Sequence, residues 1–164
     1  MKLSNFDIDF IKFKNEKDSY IFKLNDSFFS LKEKSLFSRG TLEAKLECEK
    51  QDSTITIDYV INGFVNIECE RCLEEIELQV DTKHHEVLKL TGNTELLKEE
   101  NYLSVNHQIF SCYDTLYEQI CLALPLRKIC ENSNAKRKCE LDYSSDDVEK
   151  PTDDRWEKLK NLIK

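Results

Sequence analysis

Alternation of apolar and polar residues runs through the first ninety residues and constrains the fold more than any other feature. The runs with this period are Phe6, Ile8 and Phe10; Tyr20, Phe22 and Leu24; Leu42, Ala44, Leu46 and Cys48; Ile55, Ile57, Tyr59 and Ile61; Val65 and Ile67; and Ile76, Leu78 and Val80. Successive side chains of a strand point to opposite faces, so each run predicts a strand with one buried and one solvated face. The sequence therefore predicts a bent antiparallel sheet or a partial β-barrel.

Helical periodicity replaces this pattern in the second half of the chain. Residues 91–111 are polar and irregular, which predicts a surface loop. From Asp114 the apolar residues fall on one helical face (Leu116, Ile120 and Ala123 or Leu124), with Asp114 or Thr115 as the cap and Pro125 as the stop. A second helix is predicted to begin at Pro151 and to carry Trp156, Leu159, Leu162 and Ile163 on one side. Phe28 and Phe29 predict a short helical turn that closes one end of the sheet.

The fold class is accordingly α+β, with two C-terminal helices. We expect one domain over residues 1–139, an acidic linker over 140–150 and a C-terminal helix over 151–164. The chain has 164 residues, of which 40% are hydrophobic and 34% charged, which is typical of one globular domain. No apolar run approaches the length of a membrane span or a signal-peptide core. We therefore expect a cytoplasmic protein with no membrane partner.

The seven cysteines are the main chemical feature of the sequence. Their number is odd and no secretion signal is evident, so a disulfide framework is not expected. Cys69 and Cys72 form a C-x-x-C pair, which can present two sulfurs to a tetrahedral metal ion. Cys130 and Cys139 are candidates for the other two ligands. Their separation of 8 intervening residues, and the 57 residues between Cys72 and Cys130, leave this second half of the site open on spacing alone.

The cysteines and histidines are open to roles other than metal binding. A thioredoxin-like redox pair requires a helix N-terminus that lowers one thiol pKa, whereas the alternating residues after Cys72 predict a strand. The remaining cysteines (Cys48, Cys112 and Cys121) are expected to be small buried hydrophobes. The histidines (His84, His85 and His107) are expected at the surface rather than at a metal. No catalytic motif is recognisable, so we expect no enzyme activity and no small-molecule substrate.

A basic segment stands out against an acidic chain. The formal net charge is −8, which argues against broad contact with nucleic acid. Residues 127–139 nevertheless carry five cations (Arg127, Lys128, Lys136, Arg137 and Lys138) and one acid, Glu131. That segment is +4, so the rest of the chain is −12. Together with Arg71, these cations are candidate RNA contacts, or alternatively they stabilise metal-bound thiolates.

Three ordered segments carry a resemblance to a known family. Ile67 to Glu75 (IECERCLEE) resembles the C-x-R-C-L signature of the YceD family, and Tyr117 to Pro125 resembles its helix ending in L-A-L-P. Asp153 to Trp156, with Leu159 and Leu162, resembles its D-P-R-W…L…L ending, with Asp154 in place of proline.

The resemblance implies a function and a ligand set. Cys69, Cys72, Cys130 and Cys139 would hold one structural zinc ion in a non-enzymatic factor for large ribosomal subunit biogenesis. Such a factor supports the accumulation, processing or stability of large-subunit ribosomal RNA. Its partner would be that RNA or a pre-ribosomal particle, with a basic ribosomal protein as a further candidate. A C-x-x-C redox protein and a zinc-free protein–protein interaction domain are the alternatives.

Overall fold

The computed structural model describes residues 2–13, 16–99, 101–135 and 137–139. Its strands are β1 (Asp7–Asp9), β2 (Lys17–Leu24), β3 (Arg39–Gln51), β4 (Thr54–Glu68), β5 (Glu75–Thr91), β6 (Tyr102–Ser104) and β7 (Ile109–Ser111). Its helices are α1 (Asp26–Phe29) and α2 (Tyr113–Ala123), with 3-10 turns at Leu3–Phe6, Leu96–Lys98 and Cys130–Asn132. The expected linker at 140–150 and helix at 151–164 lie outside the described residues.

The strands form a five-stranded sheet in the order β2-β3-β4-β5-β6 and a separate two-stranded pair, β1 with β7. All neighbours are antiparallel except β5 and β6, which pair in parallel over three residues. Within the described residues the larger sheet is open and does not close into a barrel. The prediction of an α+β fold with a mainly antiparallel sheet is confirmed.

Strand β4 is longer than the alternation indicated, because it joins two predicted strands at Gly63. The register continues through this residue, with Leu42 and Val80 as its cross-strand partners. Gly63 has φ +148°, which a residue with a side chain rarely adopts, and an added Cβ would collide with the carbonyl oxygen of Thr41. Glycine therefore lets β4 and β5 run unbroken to the cysteine turn.

The core lies between the inner face of the five-stranded sheet and the layer made by β1, β7, α1 and α2. The rings of Phe6, Phe28 and Tyr113 meet there at centroid separations of 4.9–5.7 Å. Helix α1 is capped by Asn25, whose side chain accepts a hydrogen bond from the Ser27 amide, and it buries the predicted pair of phenylalanines. This packing accounts for the strict alternation, since only one face of each strand is covered.

Two local predictions differ from the structure. The segment expected to be an irregular loop at 91–111 contributes β6 and β7, each of three residues, because tertiary pairing decides such short strands. Helix α2 begins at Tyr113, after Cys112, with no side-chain cap from Asp114 or Thr115. The Cys112 amide and thiol both donate to the carbonyl oxygen of Phe6 instead, at 3.1 and 3.0 Å.

In the part of the chain described, no helix has the length and apolar character needed to cross a membrane.

Candidate metal centre

The C-x-x-C pair lies on the turn that joins β4 to β5, as the sequence predicted. The Cys69 amide donates to the Glu74 carbonyl at 2.8 Å, and the Leu73 amide donates to the Cys69 carbonyl at 2.9 Å. Leu73 has φ +60°, a left-handed conformation that lets the chain reverse over few residues. The turn thereby directs the sulfurs of Cys69 and Cys72 to one side.

The second half of the centre comes from the segment after helix α2. The Glu70 amide donates to the Lys128 carbonyl at 2.8 Å, and the Asn134 amide donates to the Glu77 carbonyl at 3.1 Å. These two bonds fix residues 127–135 against the cysteine turn and the start of β5. Cys130 becomes buried, with 1% of its surface exposed.

All four predicted ligands meet in one cluster. The sulfurs of Cys69 and Cys139 are 3.6 Å apart, and those of Cys72 and Cys130 are 3.4 Å apart. The four sulfur atoms lie within 4.8 Å of one another. A tetrahedron with Zn–S bonds of about 2.3 Å has edges of about 3.8 Å, so the cluster has the dimensions of a four-thiolate site. The donor set and the spacing both fit a zinc ion.

The thiol of Cys69 ionises more readily than the thiol of Cys130. Burial opposes ionisation of Cys69, but hydrogen bonds from the backbone of Cys72 and Arg71 lower its pKa to about 6. The Arg71 amide lies 3.4 Å from the Cys69 sulfur. Burial and the neighbouring thiols raise the pKa of Cys130 to about 12. Backbone amides stabilise the thiolate of Cys69 alone, whereas a divalent cation would stabilise all four thiolates.

The other cysteines and the histidines lie outside this cluster. Cys48 and Cys112 are fully buried, and Cys121 is half-buried on α2. Burial raises the pKa of each of these three thiols, as expected for structural cysteines. Among the described residues, no histidine belongs to a cluster that could hold a metal ion. His85 instead contacts Asp58 at 2.7 Å on the open face of the sheet.

Three of the candidate RNA-binding cations form ion pairs with nearby acids. The pairs are Arg71 with Glu131 at 3.1 Å, Lys128 with Glu70 at 3.1 Å, and Arg137 with Glu74 at 2.6 Å. Two of these acids, Glu70 and Glu74, belong to the cysteine turn rather than to the basic segment. Counting charge along residues 127–139 alone therefore missed them, although their positions beside Cys69 and Cys72 were visible in the sequence.

The remaining cations are arranged differently. Within the described part of the chain, Arg127 and Lys138 form no ion pair, and Lys136 lies outside it. Five described cations and three paired acids leave this region at +2. A zinc tetrathiolate, at −2, would offset that charge. Arg137 and Lys138 also line a cavity of about 280 Å³ that reaches Cys72.

Comparison with known proteins agrees with the resemblance seen in the sequence. The family model described as "Large ribosomal RNA subunit accumulation protein YceD" matches residues 57–163, which is more than half of the chain. The match includes all four clustered cysteines and the whole of β5 and α2. No curated protein and no solved structure matches the chain significantly. The chain belongs to the YceD family, whose described role is in the accumulation of large-subunit ribosomal RNA.

Proposed function

We propose that this protein is a non-enzymatic cytoplasmic factor for large ribosomal subunit biogenesis, held in its active shape by one structural zinc ion. The convergence of four cysteine sulfurs within 4.8 Å of one another is the observation that carries the metal proposal. The family description supports a role in the accumulation of large-subunit ribosomal RNA. In this proposal Cys69, Cys72, Cys130 and Cys139 are the ligands.

The metal would act by joining distant parts of the chain. Cys69 and Cys72 belong to the turn between β4 and β5, whereas Cys130 and Cys139 follow α2. Four thiolates complete a tetrahedral shell and leave no position for substrate or reactive water, so the zinc would be structural. Its contribution is to hold the segment 127–139, with its cations, in a fixed position on the sheet.

RNA contact is proposed at the cations around this centre. Arg127 and Lys138 are the best candidates, because no carboxylate among the described residues lies within ion-pair distance to compete with a phosphate for them. Lys136 joins them by its place in the sequence. The paired cations would contact RNA only if a phosphate replaced the carboxylate with which each is paired; they are Arg71, Lys128 and Arg137. Because the loaded centre is close to neutral overall, the interaction would depend on short-range contacts rather than on long-range attraction.

A redox pair at Cys69 and Cys72 is the alternative from another functional class. The low pKa of Cys69 favours it, since a thiolate is the reactive species. The contacts of Cys72 with Cys130 and of Cys69 with Cys139 favour a four-ligand site instead. Alkylation of the native protein separates the two. Metal-bound thiols should stay protected until a chelator is added, whereas a redox pair should react at once.

Native mass spectrometry of the full chain tests the metal directly. We expect one zinc ion per chain, lost on treatment with a chelator, and we expect Cys139→Ser to bind zinc weakly. Cys121→Ser is the matched control, because Cys121 is also half-buried but lies on α2 outside the cluster. A wild-type protein purified without zinc, and unable to take it up, would contradict the metal proposal.

Depletion in cells tests the ribosomal role. We expect loss of the protein to lower large-subunit RNA relative to small-subunit RNA, and we expect Cys121→Ser to restore it more fully than Cys139→Ser. Unchanged RNA levels and subunit profiles after depletion would refute the ribosomal assignment while leaving the metal site intact.

A further inference from the structure

A cavity of about 470 Å³ lies between the loop that follows α1 and the segment that follows α2. Its lining residues are Ser35, Leu36, Phe37, Ser38, Ile67, Glu68, Glu70 and Lys128. Phe37 and Ile67 are buried, whereas Leu36 has 58% of its surface exposed. We call this cavity, with its exposed leucine, the Leu36 groove.

Hydrogen bonds fix the residues on both sides of the Leu36 groove. The Leu36 amide donates to the Tyr117 hydroxyl of α2 at 3.0 Å, and the rings of Phe37 and Tyr117 pack at a centroid separation of 5.5 Å. On the side of the cysteine turn, Lys128 donates to the Glu70 carboxylate through its amide and its ammonium group, at 3.3 and 3.1 Å. A fixed backbone therefore holds the Leu36 side chain in an exposed position.

A second exposed leucine lies close to the Leu36 groove. Leu126 has 98% of its surface exposed and precedes Lys128 by two residues. Two residues of extended chain span about 7 Å, so Leu126 is near the groove. Single exposed leucines are ordinary, but two of them beside an apolar cavity are typical of a surface that another segment covers.

The sequence contains a segment of matching character. Residues 151–164, which lie outside the described residues, are predicted to form a helix with an apolar side that includes Trp156, Leu159 and Ile163. A helix of this length is marginally stable by itself, so its apolar side needs a surface on which to pack. The family match extends to residue 163, so this segment belongs to the same sequence unit as β5 and α2.

The position of Cys139 places the start of the intervening chain close to the groove. Glu70, which lines the groove, follows Cys69, and the Cys69 sulfur lies 3.6 Å from the Cys139 sulfur. A flexible chain of the 16 residues between Cys139 and Trp156 would span roughly 20 Å. Such a tether gives the segment an effective concentration in the millimolar range, which favours it over an apolar segment of a free partner.

We propose that residues 151–164 dock in the Leu36 groove as a helix, with Trp156 packed against Leu36. The docked helix covers the exposed leucines and completes the apolar core beside the cysteine cluster. This intramolecular contact is separate from the proposed ribosomal role, since it requires neither RNA nor a partner protein.

Fluorescence of the full-length protein tests the docking directly. Trp156 is the only tryptophan of the chain, so intrinsic emission reports on this segment alone. We expect the native protein to emit at a shorter wavelength than the unfolded protein and to resist quenching by acrylamide, because the indole ring is buried in the groove.

Substitution of the groove leucines provides the second arm. Leu36→Ser should shift the docking equilibrium about ten-fold toward the undocked state, because it removes a leucine from the contact. Amides of residues 151–164 should then exchange about ten-fold faster, as measured by mass spectrometry. Leu126→Ser should act in the same direction, and its exposed position makes it harmless to the rest of the fold. Ile21→Thr is the matched control, because Ile21 is 61% exposed on β2 away from the groove, and it should change exchange by less than about two-fold.

Three outcomes would overturn the proposal. One is a solvent-exposed Trp156 in the wild-type chain, which would leave the groove to an apolar segment of a partner. Another is equal exchange in the groove and control variants, with melting temperatures that show all of them folded. The third is a dimer whose blue-shifted emission disappears on dilution, which would assign the groove to the segment of a second copy. None of these outcomes bears on the zinc site, because the assays need no metal titration and no ribosome.

Discussion

Removing the metal should release the segment after α2 while leaving the sheet intact. Outside the cysteine cluster, residues 127–139 are held by the buried side chain of Ile129, by side-chain hydrogen bonds to Glu70 and Glu77, and by two backbone hydrogen bonds. Among the residues the structure describes, the backbone hydrogen bonds of this segment to the rest of the fold are those of Lys128 with Glu70 and of Asn134 with Glu77, at 2.8 and 3.1 Å. Its ion pairs are surface pairs, each contributing roughly 0–1 kcal/mol. Burying Ile129 contributes about 1.5–3 kcal/mol, but ordering each residue costs about 1–2 kcal/mol, so these contacts alone do not hold thirteen residues in one conformation.

The size of the effect follows from binding linkage. Free zinc at about 1,000 times its dissociation constant stabilises the bound conformation by about 4 kcal/mol, which is a factor of about 1,000 in the opening equilibrium. When opening limits amide exchange through its equilibrium constant, the exchange rate rises by the same factor. We therefore expect the amides of Glu70 and Asn134 to exchange about 1,000-fold faster after chelation than in the zinc-loaded protein.

Hydrogen exchange measured by mass spectrometry checks this expectation. Peptides covering residues 69–74 and 126–139 should gain deuterium faster after chelation, while peptides from the paired strands β3 and β4 serve as the internal control. Cys139→Ser should behave as the chelated wild type, and Cys121→Ser as the loaded one. Identical exchange of the 126–139 peptide with and without chelator, in protein shown to contain zinc, would refute the reasoning that the metal holds this segment.

Three further predictions concern the fold. Gly63→Ala should destabilise the protein by at least about 2 kcal/mol in denaturant unfolding, because its Cβ collides with the neighbouring strand, whereas Gly92→Ala, with open space around its Cα, should change stability little. Tyr59→Phe should cost about 1.5–3 kcal/mol by removing the 2.6 Å hydrogen bond from a fully buried hydroxyl to Glu86, and an unchanged stability would show that this bond contributes nothing. Hydrogen bonding lowers the pKa of Glu75 from its usual 4.5, so its stabilisation is present above that pH and lost as the pH falls below it. Glu75→Gln should flatten the stability profile in that acid range, and a profile parallel to wild type would contradict the assignment.

The strands were predictable because the alternation of apolar and polar residues that indicates each one lies within its own sequence. Every predicted inward residue from Leu42 to Cys48 and from Ile55 to Ile61 is buried, since one face of each strand meets the core. The continuity of β4 through Gly63 was not predictable, because glycine within a strand pattern indicates an interruption unless its close approach to β3 is known. The short strands β6 and β7 exist only through their partners, so no periodicity within them could reveal them.

The metal centre was predictable in part. A turn with two sulfurs is visible in Cys69 and Cys72, but their convergence with Cys130 and Cys139 depends on pairing between Glu70 and Lys128, which lie 58 residues apart. Only the resemblance to the YceD family supplied that link before the structure.

Strand β5 connects the cysteine turn to the segment that follows α2. It begins at Glu75, directly after the cysteine turn, and continues through Glu77. Asn134, from the segment that carries Cys130, donates to both the carbonyl and the carboxylate of Glu77, at 3.1 and 2.9 Å. Releasing that segment would free the Glu77 carboxylate of its only described hydrogen-bond donor. Metal loss should therefore remove this contact with β5 as well as the fixed position of Arg127 and Lys138 that the proposed RNA contact requires.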